Sequence, residues 1–487
     1  MKTLIVANNP NNWPLQIPGV ELVSARAFLT DRTYVDLKRA KVFNLCRSYR
    51  YQSIGYYVSL LAEARGHKAI PSITTIQDLK SQTLIRFVSD ELDELIQKSL
   101  SPIQSDRFVL SIYFGRNVAR RYDRLSSHLF KLFHSPLLRA YFVRTDRWQL
   151  QNIDPISASE IPESHREFVV EFAQEYLSGR RSSVRTFAQT RYDLAILWDE
   201  NGEEPASDAK AIRKFVRAAE SLDFGVEIIG RDDYGRVAEF DALFIRDTTS
   251  VNHYTYRFAR RGSAEGLVVI DDPESILRCL NKVYLAELLN RHQIPTPRTL
   301  VVSKENLESV VEQLGLPCVL KQPDSAFSQG VSKVDSQEAL IEAGLKMLDK
   351  SELIIAQEFL PTDFDWRIGT IDRKPLYACK YFMARRHWQI IRNLEEGKRQ
   401  EGRVETLRVE EAPRKVVRMA MQAANLIGDS LYGVDVKVSG GKCYVIEIND
   451  NPSIEAGYED EVLKDDLYLR IMAVFLERIE RKKQAAP

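Results

Sequence analysis

YGVDVKVSGGKCYVIEINDNPS, residues 432–453, is the stretch on which the fold turns. Tyr432, Val434, Val436 and Val438 alternate with Gly433, Asp435 and Lys437, the period of a strand with one apolar face. Ser439-Gly440-Gly441 is a short hairpin loop and KCYVIEIN the return strand. With Val438 paired to Lys442, Asp435 falls opposite Val445, and residues opposite each other share a face. Glu447 and Asn449 then join Asp435 on one patch, about 6.5–7 Å apart along the strand. Two carboxylates and an amide oxygen suit Mg²⁺ when the phosphates of a nucleotide complete its shell. Taken alone, the pattern also describes a solvated strand face. Asn451 and Ser453, in the polar loop that follows, are placed to meet a substrate.

Outward from the hairpin, three blocks separate on pattern. In residues 273–480, Asp272 caps a helix that starts at Pro273 and reads as continuous through ESILRCLNKVYLAELLNRH. The strand-like runs CVLK, LIIAQEFL, WRIGTID and KPLYACKYFM follow, then a long helix near Arg414–Leu426 and a tail expected to fray. Residues 190–272 alternate strand and helix, which predicts a small parallel α/β unit. Residues 1–185 open with the strand LIVA and continue with a helix over SIGYYVSLLAEARGH and a strand over FVLSIYF. A helix then runs to Leu138, a second strand is AYFVRT, and the charged GRRSSVRT serves as a linker. No internal repeat is visible.

Composition narrows the function. The 487 residues are 44% hydrophobic and 28% charged, which excludes wholesale disorder. Sixty-eight Lys and Arg balance 68 Asp and Glu, so net charge favours neither a nucleic-acid nor a membrane partner. The five cysteines are far apart and set in apolar runs, a pattern of reduced core thiols. The apolar run Leu4–Ala7 is shorter than a signal-peptide core, and nothing approaches the roughly 20 apolar residues of a membrane span. A cytoplasmic protein is expected. The arginines Arg116, Arg120, Arg121 and Arg124 form a solvated helix face or a contact with the chain's own C-terminal block more readily than a nucleic-acid patch.

GVDVKV…YVIEINDNPS resembles the metal-binding end of ATP-grasp enzymes, and four more landmarks stand in that family's order. Asn281-Lys282 matches the opening lysine, and CVLKQP with Lys321 matches the second nucleotide lysine. IIAQEFL, with Gln357, Glu358 and Phe359, matches the hinge that receives adenine. DFDWRIG matches the D-x-R strand, with Asp365 and Arg367. The resemblance covers roughly the last 215 residues, 273–487. It is closest to the RimK-like ligases, which are similar in fold to glutathione synthetase and D-alanine–D-alanine ligase. WQIIRNL matches their segment carrying Arg392 and Asn393. Two features depart from the pattern. The loop QPDSAFSQGVSKV holds a single glycine, Gly330, beside Ser325 and Ser328, and the basic strand KYFMARRHW differs.

The resemblance implies an α/β and α+β architecture: two α+β lobes clasping ATP, a small parallel α/β domain before them, and an additional N-terminal α/β domain. It implies a carboxylate–amine ligase that forms an acyl phosphate and releases ADP and phosphate, with ATP and Mg²⁺ or Mn²⁺ as cofactors. Asp435, Glu447 and Asn449 would hold metal. Lys282, Lys321, Gln357, Glu358, Phe359 and Asp365 would hold the nucleotide, with Arg367, Lys321 and Asn449 catalytic. Arg246, at the end of the strand DALFI, is expected to take a substrate carboxylate bidentately. Asn252 stands beside it, Arg385, Arg386 and Arg392 are rivals for that role, and Asn393, Asn451 and Ser453 are expected as further substrate contacts. A helix-capping loop with a surface arginine is the alternative at Arg246. Substrates are amino acids or small peptides, and a homo-oligomer is expected. The alternatives are addition of an amino acid to a protein terminus, or a nucleotide-binding scaffold without turnover.

Overall fold

The computed structural model describes residues 2–12, 17, 20–37, 40–178, 190–200, 202, 205–324, 330–385, 387–393 and 399–485. They form two compact units, Met1–Arg191 with Asp232–Phe240, and Tyr192–Arg231 with Asp241–Pro487. Among the described residues no helix is long and apolar enough to cross a membrane, and all five cysteines are free and buried.

In the first unit, β1 (Lys2–Ala7), β2 (Glu21–Ser24), β3 (Ala40–Asn44) and β4 (Lys68–Ile70) make a parallel sheet in the order β2-β1-β3-β4. Leu4, Val6 and Val42 pack on one face and Ile5, Phe43 and Ile70 on the other, so both faces are buried. An antiparallel meander follows: β5 (Arg107–Tyr113), β6 (Leu137–Arg144) and β7 (Trp148–Pro155). The helix expected to reach Leu138 stops at Leu132. Pro136 cannot continue it, and Leu137 already pairs in β6. The segment Asp232–Phe240 belongs to this unit: Lys131 bonds Asp232 at 2.7 Å, and Lys41 and the Tyr176 hydroxyl meet the buried Glu239.

In the second unit, β8 (Tyr192–Leu197), β9 (Phe224–Ile229), β10 (Ala242–Ile245) and β11 (Val268–Ile270) form a parallel sheet in the order β9-β8-β10-β11. The tail expected to fray is instead helical over Asp465–Ala485. Its Tyr468 and Phe475 rings pack 4.7 Å and 5.4 Å from Phe215 and Phe244. The parallel sheet thus shares one core with the C-terminal helix.

Two lobes complete this unit. One is an antiparallel sheet of β12 (Thr299–Val302), β13 (Cys318–Lys321), β14 (Val331–Val334) and β15 (Ile354–Glu358), in the order β12-β15-β13-β14. In the other, β16 (Phe364–Ile371) and β17 (Lys374–Phe382) pair first. The small pair β18 (Ile391–Asn393) and β19 (Arg399–Glu401) comes next in the chain. Then β20 (Val404–Leu407), β21 (Tyr432–Ser439) and β22 (Lys442–Asn449) complete a five-stranded antiparallel sheet, β20-β17-β16-β21-β22. Helix Arg414–Ile427 buries Val416, Ala420, Ala423 and Ile427 against it.

The structure also holds the repeat that was not visible in the sequence. The two parallel sheets share one strand order, and elements around their last strands recur 200 residues apart. Helix Ile54–Ala64 corresponds to Tyr254–Ala264. Both bury the same four positions: Gly55, Val58, Ser59 and Ala62 in one, Thr255, Phe258, Ala259 and Gly262 in the other. Gly66 and Gly266 follow at φ 71° and 79°, and Ser72 and Asp272 cap the next helices. The residue types differ at all four positions, so what recurs is the spacing of the buried face rather than the side chains on it.

Candidate active site

The hairpin β21–β22 is the floor of the site, and its register corrects the expected one. Ser439 pairs with Lys442 and Val438 with Cys443, one residue from the predicted alignment. Continued regularly, that register would set Asp435 opposite Ile446 and turn Glu447 to the other face. A bulge after Asp435 absorbs the offset, so Asp435 lies directly opposite Glu447, and Gly433 opposite Asn449. The Asn449 amide bonds Asp435 Oδ2 at 3.3 Å and the Gly433 carbonyl at 3.2 Å.

The helix expected to run unbroken from Pro273 is two helices, Pro273–Leu280 and Lys282–Arg291. Asn281 is extended, and its side chain accepts from Val283 N and Tyr284 N as the second helix's cap. The break puts Lys282 at the site, with Nζ 2.9 Å from Glu447 Oε1. Burial pushes the Glu447 carboxyl up, but Lys282 and Lys321 outweigh it and hold it below its ordinary value.

Lys321 ends β13 and reaches Gln357 Oε1 on β15 at 2.8 Å, while Gln357 Nε2 is braced on Thr299. Burial, with Lys282 and Lys437 beside it and Glu447 opposing, brings Lys321 down to about 8. Arg367 on β16 lies opposite Asp435 and above the Tyr381 ring at 4.8 Å. Despite its burial, Asp435 holds this guanidinium firmly protonated. Asp365 accepts from Lys437 Nζ at 2.7 Å and from Thr362 at 3.0 Å. Burial still raises its carboxyl against the pull of Lys437.

These side chains line one cavity of about 510 Å³. Lys282, Lys321, Gln357, Glu358, Phe359, Asp365, Arg367, Asp435, Glu447, Asn449, Asn451 and Ser453 all border it. Glu358 is also tied to Arg298 at 2.7 Å. Asn252 and Arg385 are exposed and do not border it. Arg392 and Asn393 belong to β18, whose side chains, like Arg386, Ser325 and Ser328, lie outside the described residues.

Arg246 corrects an expectation. Its guanidinium is fully buried and does not border the cavity. Nε bonds Ser207 Oγ at 3.0 Å, Nη1 bonds Asn451 Oδ1 at 2.6 Å, and Nη2 bonds Pro452 O at 2.9 Å. The fork meant for a substrate carboxylate instead clamps the loop after β22, and Asn451 Nδ2 closes the clasp on Asp247 O at 2.7 Å. Strand-end position alone did not distinguish an arginine facing the crevice from one turned inward.

Several lining residues were missed. Lys437 shares the Asp435 face, so strand alternation already contained the signal. Thr248 and Thr249 follow β10, and Asp450 follows Asn449. Burial lifts Asp450 to about 7, countered by a Thr249 hydrogen bond.

Among the described residues no three of His, Cys, Asp and Glu converge as a self-sufficient metal centre. The set on the hairpin has two carboxylates and one amide. Such a donor set fits a hard divalent cation that takes its remaining oxygens from phosphate and water.

The arrangement is that of a nucleotide-dependent ligase: cationic side chains, two of them paired directly with the carboxylates of a hairpin, line one cavity between two lobes. Comparison with known proteins makes the class specific. Residues 25–172 match the RimK-like ATP-grasp N-terminal domain, and residues 279–473 the RimK-like ATP-grasp domain. A probable alpha-L-glutamate ligase of Vibrio vulnificus is 28% identical over 236 residues, 47% of this chain and 73% of its own. An alpha-aminoadipate–LysW ligase of Saccharolobus solfataricus is 27% identical over 195 residues, 38% of this chain and 67% of its own. A solved D-alanine–D-alanine ligase of Bacillus anthracis matches 61% of this chain and all of its own with a TM-score of 0.48 at 14% identity. The chain belongs to the RimK-like ATP-grasp family and is an ATP-dependent carboxylate–amine ligase.

Proposed function

We propose that the enzyme joins an amino acid or small peptide to an amine through an acyl phosphate, releasing ADP and phosphate. The observation that carries this is the convergence of Lys282, Lys321 and Arg367 with Asp435, Glu447 and Asn449 on one cavity. Phosphoryl transfer asks for positioning and for stabilisation of charge on the phosphoryl oxygens more than for covalent catalysis. Lys282 and Lys321 hold the nucleotide phosphates, and Gln357 keeps Lys321 aimed. Arg367, fixed by Asp435, stands where the transferred phosphoryl group and the acyl phosphate carry charge. Asp435, Glu447 and Asn449 would hold Mg²⁺, which would supply positive charge to offset that of the phosphates.

The γ-phosphoryl group passes to a carboxylate oxygen. The amine then attacks the carbonyl carbon, phosphate leaves with the C–O bonding pair, and the amine nitrogen loses its proton. Asn451, held by the Arg246 clamp, and Ser453, on the same cavity wall, meet the substrate. Incubation with ATP and pooled amino acids, read by nucleotide analysis and mass spectrometry of products, tests the reading. ADP and phosphate in step with a condensation product are expected, and AMP in step with product refutes it.

A further inference from the structure

The duplicated sheets offer the same location twice. Open parallel sheets bind ligands beyond the carboxyl ends of their strands. In the second unit, Thr248 and Thr249, in the loop after β10, line the catalytic cavity. The corresponding loop of the first unit follows β3 and leads into helix Ile54–Ala64. It is built without an Arg246 equivalent. The buried Asn44 bonds the Gly55 carbonyl and Ser59 Oγ and accepts from Cys46 N, the Tyr49 hydroxyl bonds Asn44 O, and Asn8 at the end of β1 accepts from Arg47 N at 2.6 Å. The loop is therefore held by its own unit.

What this loop and the first turn of the helix after it display is unlike a solvated turn. Tyr51 is 70% exposed, Ile54 49% and Tyr57 38%. Tyr56 packs edge-on to Tyr51 and Tyr57 at 5.3 Å and 5.9 Å, which joins the rings into a ridge. Arg47 and Arg50 are exposed beside it, and neither has a carboxylate within ion-pairing distance among the described residues. Exposed aromatic and arginine side chains on a preorganised loop are the composition of protein-binding hot spots.

We propose that this strand-end surface of the first unit recognises an acidic polypeptide segment, with Arg47 and Arg50 taking its carboxylates and Tyr51 and Tyr57 its apolar side chains. The proposal rests on the ligase reading for its consequence, that the segment belongs to a polypeptide substrate. The charge complementarity is direct: two exposed guanidiniums, without a carboxylate partner among the described residues, select carboxylates, for which arginine offers a fork. A single-stranded nucleic acid is less well matched, because the ridge sets its rings against each other rather than as separate platforms for successive bases.

The test is fluorescence anisotropy of the full chain with a labelled peptide of mixed Glu and Tyr, without ATP. A Lys-rich peptide and an oligouridylate serve as comparisons. The acidic peptide should bind, weaken as salt rises, and lose roughly tenfold in affinity in Arg47→Ser/Arg50→Ser or in Tyr51→Ala. Circular dichroism and thermal unfolding of the same samples should stay unchanged in these surface variants and so report their folding. No binding of the acidic peptide to the wild type overturns the proposal. So does equal affinity in the variants, or tighter binding of either comparison probe. Because this measurement involves no turnover, its failure is separable from failure of the ligase reading, which ADP formation tests.

Discussion

Arg367 grips Asp435 with both arms of its fork, Nε to Oδ1 at 2.7 Å and Nη2 to Oδ2 at 2.8 Å. The two residues are direct partners across β16 and β21, so the sheet itself sets their separation. The pair gives the carboxylate one orientation and the guanidinium one position over Tyr381. Breaking a buried pair leaves an uncompensated charge, at a cost of about 3–5 kcal/mol when water is fully excluded and less beside an open cavity. Asp435→Asn is expected to lower the unfolding midpoint and abolish turnover together. Calorimetry alongside ADP release checks this, and an unshifted midpoint would show that the pair contributes nothing to the fold.

Glu447→Gln separates chemistry from folding. The side chain keeps its volume and can still accept from Lys282, but the ion pair is lost beside an open cavity, so stability should fall by no more than about 3 kcal/mol, the lower end of the cost of breaking a buried pair. Turnover should vanish, and raising Mg²⁺ should not restore it. Denaturant unfolding and steady-state rates measure the two effects. Wild-type rates at limiting Mg²⁺ would refute the metal role.

Lys321 makes nucleotide binding depend on pH. Its folded value of about 8 lies below the ordinary lysine value because burial disfavours the charge. Phosphates favour the charge and must raise that value in the complex. Binding of a non-hydrolysable ATP analogue should therefore take up protons above about pH 8, and affinity should fall as pH rises through that range. Titration calorimetry in buffers of different ionisation enthalpy reads the uptake, and Lys321→Met should remove it. Proton release would refute the assignment.

Arg246 supports the site without touching the cavity. Arg246→Lys keeps the charge but loses the fork that joins Ser207, Asn451 and Pro452, so stability should fall by about 3 kcal/mol or more. Release of Asn451 should lower kcat while leaving the KM for ATP unchanged. A raised substrate KM at constant kcat and constant stability would return the residue to the role of carboxylate anchor.

Much of the site was legible because it lies on regular strands. Alternation alone places Asp435 and Lys437 on one face, and Lys321 is legible as the polar end of an apolar strand before a loop. The shared face of Glu447 and Asn449 was inferred correctly from a register that is one residue wrong, with the bulge restoring what the shift would have undone. Cα register across a hairpin depends on loop geometry that the letters SGG leave open.

The chain's own letters determine local matters: which positions alternate, where Asp272 and Pro273 start a helix, and which residue types collect near a strand end. Backbone periodicity and capping act over a few residues, so sequence reads them directly. Tertiary structure decided what depends on partners far along the chain. Arg246 turns inward because Asn451 and Pro452, more than 200 residues later, offer it acceptors. The C-terminal helix is anchored where Phe215 and Phe244 receive Tyr468 and Phe475, and Ile479 carries the same core into the segment expected to fray. The repeat escapes the letters because what recurs is the spacing of the buried helix face and the order of the strands, which unlike side chains satisfy with different local packing.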